Sequence, residues 1–154
     1  MLPQRIQLIA YSTLAVIICY IDRVNISVAI IPMQEQFGWS DSQVGFIFSS
    51  FYIGYMLTMA LGGYLSDKFG GKLVLGYGVV MWSIFTILTP LAAHNGFFAL
   101  FIMRVLMGIG EGVTFPAWQS LYARWIPFKE RTRAIAFTNS GISIGTIIGY
   151  IGTQ

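Results

Sequence analysis

A chain of 154 residues that is 56% hydrophobic and only 10% charged, with a mean hydropathy of +0.71, cannot give a globule a polar coat, since ordinary globular chains carry about 25% charged residues. Length and composition exclude a water-soluble domain and point to the membrane. The net charge of +3 and isoelectric point near 9.2 do not indicate a nucleic-acid partner, because the nine basic residues fall mainly at the edges of apolar stretches. Cys19 is the sole cysteine, so no internal disulfide can form and no cysteine metal cluster is possible.

A span needs about 20 mostly apolar residues to cross a hydrocarbon core of roughly 30 Å. The first runs over 6–31, interrupted by Asp22 and Arg23 and closed by Pro32. Its apolar part is too long for a secretory signal, whose core is about 7 to 15 residues, so it reads as an uncleaved span. The second, 44–66, and the third, 73–93, contain no charged residue. The fourth, 97–125, holds Arg104, Glu111 and Pro116, and the proline should kink it. A fifth begins at Ala134 and runs to Gln154. The fold class expected is all-α: a polytopic membrane bundle of four full transmembrane helices and a truncated fifth.

The connections predicted between spans are 33–43, 67–72, 94–96 and 126–133. Such short links force neighbouring helices to run antiparallel, so basic residues can be counted by side. Arg5, Lys68, Lys72, Arg124, Lys129, Arg131 and Arg133 share one side, whereas the links with Glu35, Asp41 and His94 carry no lysine or arginine. By the positive-inside rule the N-terminus is cytoplasmic. The short N-terminus, without a targeting extension, points to a bacterial inner membrane.

Asp22, Arg23, Arg104 and Glu111 lie within spans. Each ionisable group costs about 2.5 to 3.5 kcal/mol at a helix centre, so all four should face protein or a water-filled cavity. With a rise of about 1.5 Å per residue, Arg104 sits roughly 10 Å and Glu111 roughly 21 Å into the fourth span, and Asp22 roughly 24 Å into the first. Arg104 and Glu111, seven apart, share a helix face with Gly108. Structural ion pairs would account for any one of these residues. The set as a whole suits anion handling coupled to protons: arginine captures carboxylate or phosphate in bidentate fashion, and a low-dielectric site disfavours the charged form of a carboxylic acid.

Phe48, Tyr52 and Tyr55 form an aromatic stripe on the second span, for which packing competes with ligand lining. Asn25, Ser27 and Gln119 are further polar candidates, and His94 reads as a solvated bystander. Gly141, Gly145 and Gly149, spaced by four, make a surface for close helix contact.

The segment from Gly63 through Asp67, Lys68, Gly70, Gly71 and Lys72 resembles the signature between the second and third helices of the major facilitator superfamily, and 104–112 resembles its second signature. Residues 20–29, 111–117, and Trp125-Ile126-Pro127 with Glu130-Arg131 are similar to its anion:cation symporter family. The resemblance implies a 12-helix transporter in two six-helix halves, of which residues 1–154 would be part of the N-terminal half, with the C-terminal half absent. It implies that Arg23 and Arg104 hold the substrate anion with Tyr55 beside them; Gln119 and Asn25, from the residue reading, are placed with them as substrate-binding candidates. Asp22 and Glu111 would couple transport to protons, and Gly63, Asp67, Lys68, Gly70 and Lys72 would form a loop that latches the inward side. Gly71 departs from the pattern, since many members carry a basic residue there. The fifth span lacks the Gly-Pro pair frequent in superfamily exchangers, which favours symport.

The function so implied is secondary active, proton-coupled symport of an organic anion such as a sugar acid. Its partners would be a small-molecule anion, protons or another cation, and the bilayer. Alternatives are an inorganic phosphate or amino-acid-like anion transporter, a non-transporting receptor of the same fold, or a short transporter that dimerises. No nucleophile elbow, metal-ligand cluster or phosphate-cradling loop suggests an enzyme, and no cofactor is expected.

Overall fold

The computed structural model describes residues 4–152, which form six helices and, among the described residues, no strand. They are α1 (Gln4–Phe37), α2 (Asp41–Phe69), α3 (Gly71–His94), α4 (Phe97–Gly112), α5 (Thr114–Trp125) and α6 (Phe128–Gly152). With α4 and α5 counted together, five helical stretches are long and apolar enough to cross a membrane.

The helices outrun the apolar segments at most ends, because polar residues propagate a helix as readily as apolar ones and the chain stops only where a cap or turn is encoded. The first span was expected to close at Pro32, but α1 continues to Phe37. Its end is set by Gly38, whose positive φ of 65° allows the Trp39 N–H to reach back to the Gln34 carbonyl at 3.1 Å. Ser40 then opens α2 with a capping box: its hydroxyl accepts from the Gln43 N–H at 3.3 Å, and the Gln43 side chain accepts from the Ser40 N–H at 2.9 Å. The connection expected over 67–72 shrinks to Gly70, whose φ of +90° favours glycine. Asp67 and Lys68 lie in the last turn of α2, and Lys72 in the first turn of α3. His94 is the last residue of α3 rather than a loop residue, and its ring meets Phe37 edge-on at 5.6 Å. The expected 126–133 link is also mostly helix, α6 starting at Phe128 with Glu130 and Arg131 donating to the Pro127 carbonyl. The last two residues of the fifth predicted span, 153 and 154, lie outside the described residues.

The fourth span is interrupted at Val113 alone, whose φ of −78° and ψ of −14° are helical, so the disturbance expected from Pro116 is met as a one-residue break. Pro116 has no N–H to give the Gly112 carbonyl, and its ring crowds that carbonyl. α4 therefore ends at Gly112, and bonding resumes with the Ala117 N–H on the Val113 carbonyl at 3.0 Å.

The chain divides into two compact units, residues 29–120 and residues 1–28 with 121–154. In the 29–120 unit, α2 and α4 run parallel in close contact. A Cβ at Gly54 would strike the Val105 carbonyl, one at Gly108 the Phe51 carbonyl, and one at Gly112 would lie 2.7 Å from the Tyr55 carbonyl oxygen. α3 runs antiparallel to α4, with Gly78 against Gly110 at one end and Ala93 packed with Leu100 at the other. Two apolar clusters fill this unit: Ile30, Trp39, Ile47, Ala93 and Leu100 towards one end, and Phe51, Trp82 and Met107 nearer the middle. In the other unit, α6 runs parallel to α1, with Gly141 on Thr13, Gly145 on Ile17 and Gly149 on Val24. Such small-residue contacts let helix backbones approach where lipid supplies no hydrophobic driving force.

Large apolar side chains lie on the outside as well as in the core. Ile87 and Phe98 are 76% and 77% exposed, whereas Glu111 is fully buried and Arg104 only 3% exposed.

Candidate functional site

The predicted site residues fall in both units, and the best-defined group lies on α2 and α4. Arg104 projects from α4 so that its guanidinium carbon sits 5.1 Å from the centroid of the Phe51 ring on α2, within the range of cation–π attraction. Its Nη1 donates to the Met107 sulfur, one turn along α4, at 3.2 Å. Phe51 in turn stacks on Tyr55, with centroids 5.8 Å apart and planes 29° apart. The structure thus brings Tyr55 and Arg104 together through a ring that the predicted set omits. Glu111 is buried in the last turn of α4, beside the break before α5. Gln119, on α5, is exposed.

On α1, Asp22 and Arg23 are half-buried. The Arg23 guanidinium lies 5.0 Å from the ring centroid of Tyr20, a residue of its own helix. The Arg23 backbone carbonyl accepts from the Ser27 hydroxyl at 3.0 Å. Asn25 is exposed.

The residues ascribed to an inward latch gather at the α2–α3 junction. Gly63 lies within α2, and Gly70 joins the helices, its N–H reaching the Ser66 carbonyl at 3.0 Å. Lys68 lies over the rings of Tyr64 and Phe69, 5.7 and 5.3 Å from their centroids. Asp67 Oδ1 accepts from the Ser120 hydroxyl of α5 at 3.1 Å. Ser120 carries no signal in the sequence that would single it out.

Arg104 and Glu111 are thus buried seven residues apart on α4, a glycine-mediated α2–α4 contact lies beside them, and a one-residue turn falls in the Gly63–Lys72 segment. The Major Facilitator Superfamily model matches residues 12–153. The chain belongs to the Major Facilitator Superfamily. It is a multi-pass membrane protein of that superfamily. The chain is 50% identical over 147 residues to "Probable anion transporter 4, chloroplastic" of Oryza sativa subsp. japonica, covering 96% of this chain and 25% of that protein. It is 48% identical to "Ascorbate transporter, chloroplastic" of Arabidopsis thaliana, covering 96% and 27%, and 46% identical to "Sodium-dependent phosphate transport protein 1, chloroplastic" of the same plant, covering 96% and 29%. The chain thus spans between a quarter and a third of the length of these relatives. Among solved structures, a bacterial homolog of the human lysosomal transporter Spinster, inward-facing and unoccupied, matches with a TM-score of 0.89 and 29% identity, covering 97% of this chain and 31% of that one.

Proposed function

We propose that the chain is the N-terminal portion of a 12-helix secondary transporter that moves an organic anion by proton-coupled symport. The observation that carries this reading is the burial of Arg104 and Glu111 seven residues apart on α4. A guanidinium and a carboxyl held at membrane depth are costly unless used, and they supply an anion partner and a proton acceptor on one helix. In this reading Arg104 and Arg23 bind the anion, with Tyr55, Asn25 and Gln119 as polar contacts. Glu111 and Asp22 exchange the proton. Substrate and proton together bias the rocking of helix bundles between two access states. Chemistry on the substrate has no place in this cycle, so the protein acts as a carrier and not as an enzyme.

The latch also belongs to the proposal. The Asp67–Ser120 contact would form in one access state and break in the other, with the Gly70 turn and the flanking Gly63, Lys68 and Lys72 adjusting around it. The one-sided distribution of Arg5, Lys68, Lys72, Arg124, Lys129, Arg131 and Arg133 supports an N-terminus on the more basic side of the membrane. The names of the relatives support a chloroplast membrane in place of the bacterial inner membrane inferred from the short N-terminus.

A second reading replaces the organic anion with phosphate and the proton with sodium, favoured by the 46% identity to a relative named for sodium-dependent phosphate transport. Proteoliposomes carrying the protein from the complete reading frame distinguish the two. Uptake of ascorbate, sugar acids and phosphate is measured under an imposed proton gradient and, separately, an imposed sodium gradient. Glu111→Gln is expected to abolish proton-driven uptake while anion exchange persists. Uptake by that variant that still follows the proton gradient would remove Glu111 from the coupling role.

A further inference from the structure

We propose that the basic end of the unit formed by residues 1–28 and 121–154 binds one anionic phospholipid, with its headgroup phosphate at Arg5 and Arg133 and one acyl chain in the apolar groove between α1 and α6.

The groove follows from the way these two helices meet. Further along α6, Gly141 stands against Thr13 and Gly145 against Ile17, and the backbones approach closely. Carried back in the same register, Phe137 lies level with Ile9 and Arg133 with Arg5, and α6 has no glycine before Gly141. The surface there is concave. A groove of about 770 Å³ is lined by Ile6, Ile9, Leu14, Ile17 and Phe137, with Glu130 and Arg133 contributed by the first turns of α6. A second hollow of about 710 Å³ shares Ile6, Ile9 and Glu130 with it and adds Arg5, Arg124 and Trp125. Cations and an apolar trough are therefore parts of one continuous surface.

Its length and charge name the occupant. From Ile6 to Ile17 the groove extends about 16 Å at about 1.5 Å per residue, close to half of a hydrocarbon core of roughly 30 Å. That is the depth of one leaflet. Three arginines line the two hollows against one carboxylate, Glu130. Arg5 lies 3.8 Å from Glu130, but the two side chains are 56% and 63% exposed, and an ion pair so open to solvent is weak. The rim is thus net positive. Trp125, 57% exposed beside it, is of the residue type that settles at the membrane–water boundary. Basic pockets between transmembrane helices at a membrane face hold anionic headgroups. A neutral lipid would fill the trough but leave the arginines unanswered, whereas a phosphate with a net negative charge on an acyl chain answers both.

The test uses the protein from the complete reading frame in vesicles of phosphatidylcholine and phosphatidylglycerol. A bimane label on Leu14→Cys, in a Cys19→Ser background, reports the groove, and one lipid at a time is brominated on its acyl chains as a quencher. At equal mole fraction, brominated phosphatidylglycerol is expected to quench several-fold more than brominated phosphatidylcholine. Arg5→Gln combined with Arg133→Gln should bring the two within about twofold. Equal quenching by both lipids in the parent would make this face an ordinary lipid contact and overturn the proposal. Absence of quenching by either would show the groove covered by polypeptide, from the rest of the chain or a second copy, and overturn it as well. So would a preference that survives the double arginine variant. Should the labelled protein fail to insert, native mass spectrometry of the unlabelled protein titrated with each lipid gives a second reading. Phosphatidylglycerol should bind about tenfold more tightly than phosphatidylcholine, and Ala10→Trp, which fills the groove from an exposed position, should weaken it at least threefold. Equal affinities for the two lipids, or an Ala10→Trp variant that binds like the parent, overturns the site.

Discussion

Two parallel helix pairs, α2–α4 in one unit and α1–α6 in the other, solve the same packing problem differently. In α2–α4 the glycines come from both partners: Gly54 on α2 meets the Val105 carbonyl, and Gly108 and Gly112 on α4 meet the carbonyls of Phe51 and Tyr55. In α1–α6 the close-contact glycines Gly141, Gly145 and Gly149 all lie on α6, and α1 answers with Thr13, Ile17, Tyr20 and Val24. Reciprocal glycines bring backbone to backbone and fix the register of both helices. In the one-sided stripe Gly141 and Gly145 still meet the Thr13 and Ile17 carbonyls, but α1 side chains, those of Thr13, Ile17, Tyr20 and Val24, share the contact. Arg104 and Glu111, the fully interior charges, lie on the pair with the reciprocal contact.

The sharpest way to break this contrast is Gly108→Leu, which drives a side chain into the Phe51 carbonyl. Overpacking against backbone is expected to cost about 3 kcal/mol or more and to abolish monodisperse protein in detergent, read by size-exclusion chromatography. Gly145→Leu meets the Tyr20 side chain as well as backbone, and should cost about 1–3 kcal/mol, seen as a lowered Tm with folded protein retained. Equal losses in the two variants would erase the distinction between reciprocal and one-sided packing. A smaller effect is expected from Tyr122→Phe, which removes a buried 2.6 Å hydrogen bond between the Tyr122 and Thr138 hydroxyls, joining α5 to α6. About 1 kcal/mol should be lost by thermal unfolding. Smallest is Ser120→Ala at the Asp67 contact. Stability should change by no more than about 0.5 kcal/mol, so any change in uptake rate reports on the latch and not on folding.

The spans were legible because hydropathy over about 20 residues is a strong signal, and so was the burial of Arg104 and Glu111, whereas Asp22 and Arg23 are half-buried. Helix ends were not. Expected links such as 67–72 and 126–133 turned out mostly helical, since Lys, Glu and Arg extend helices once nucleated, and Gly38 and Gly70 mark the actual turns. The disturbance at Pro116 was legible, because a missing N–H leaves the carbonyl four residues earlier, that of Gly112, without its helical partner. Phe51 was illegible for a different reason. The stripe of Phe48, Tyr52 and Tyr55 is read within one helix, whereas the ring that reaches Arg104 depends on the register between α2 and α4. That register is set by glycines on both helices and is invisible to spacing within either.

The division of the fourth span at Val113 has a consequence for the backbone. At about 1.5 Å per residue, the 16 residues of α4 extend about 24 Å and the 12 residues of α5 about 18 Å, so neither rod alone crosses a hydrocarbon layer of roughly 30 Å. The joint therefore falls at membrane depth, two residues beyond Glu111. Val113 itself keeps helical dihedrals, so the two segments follow one another directly, and the backbone hydrogen bond that Pro116 cannot make is missing next to a carboxyl group.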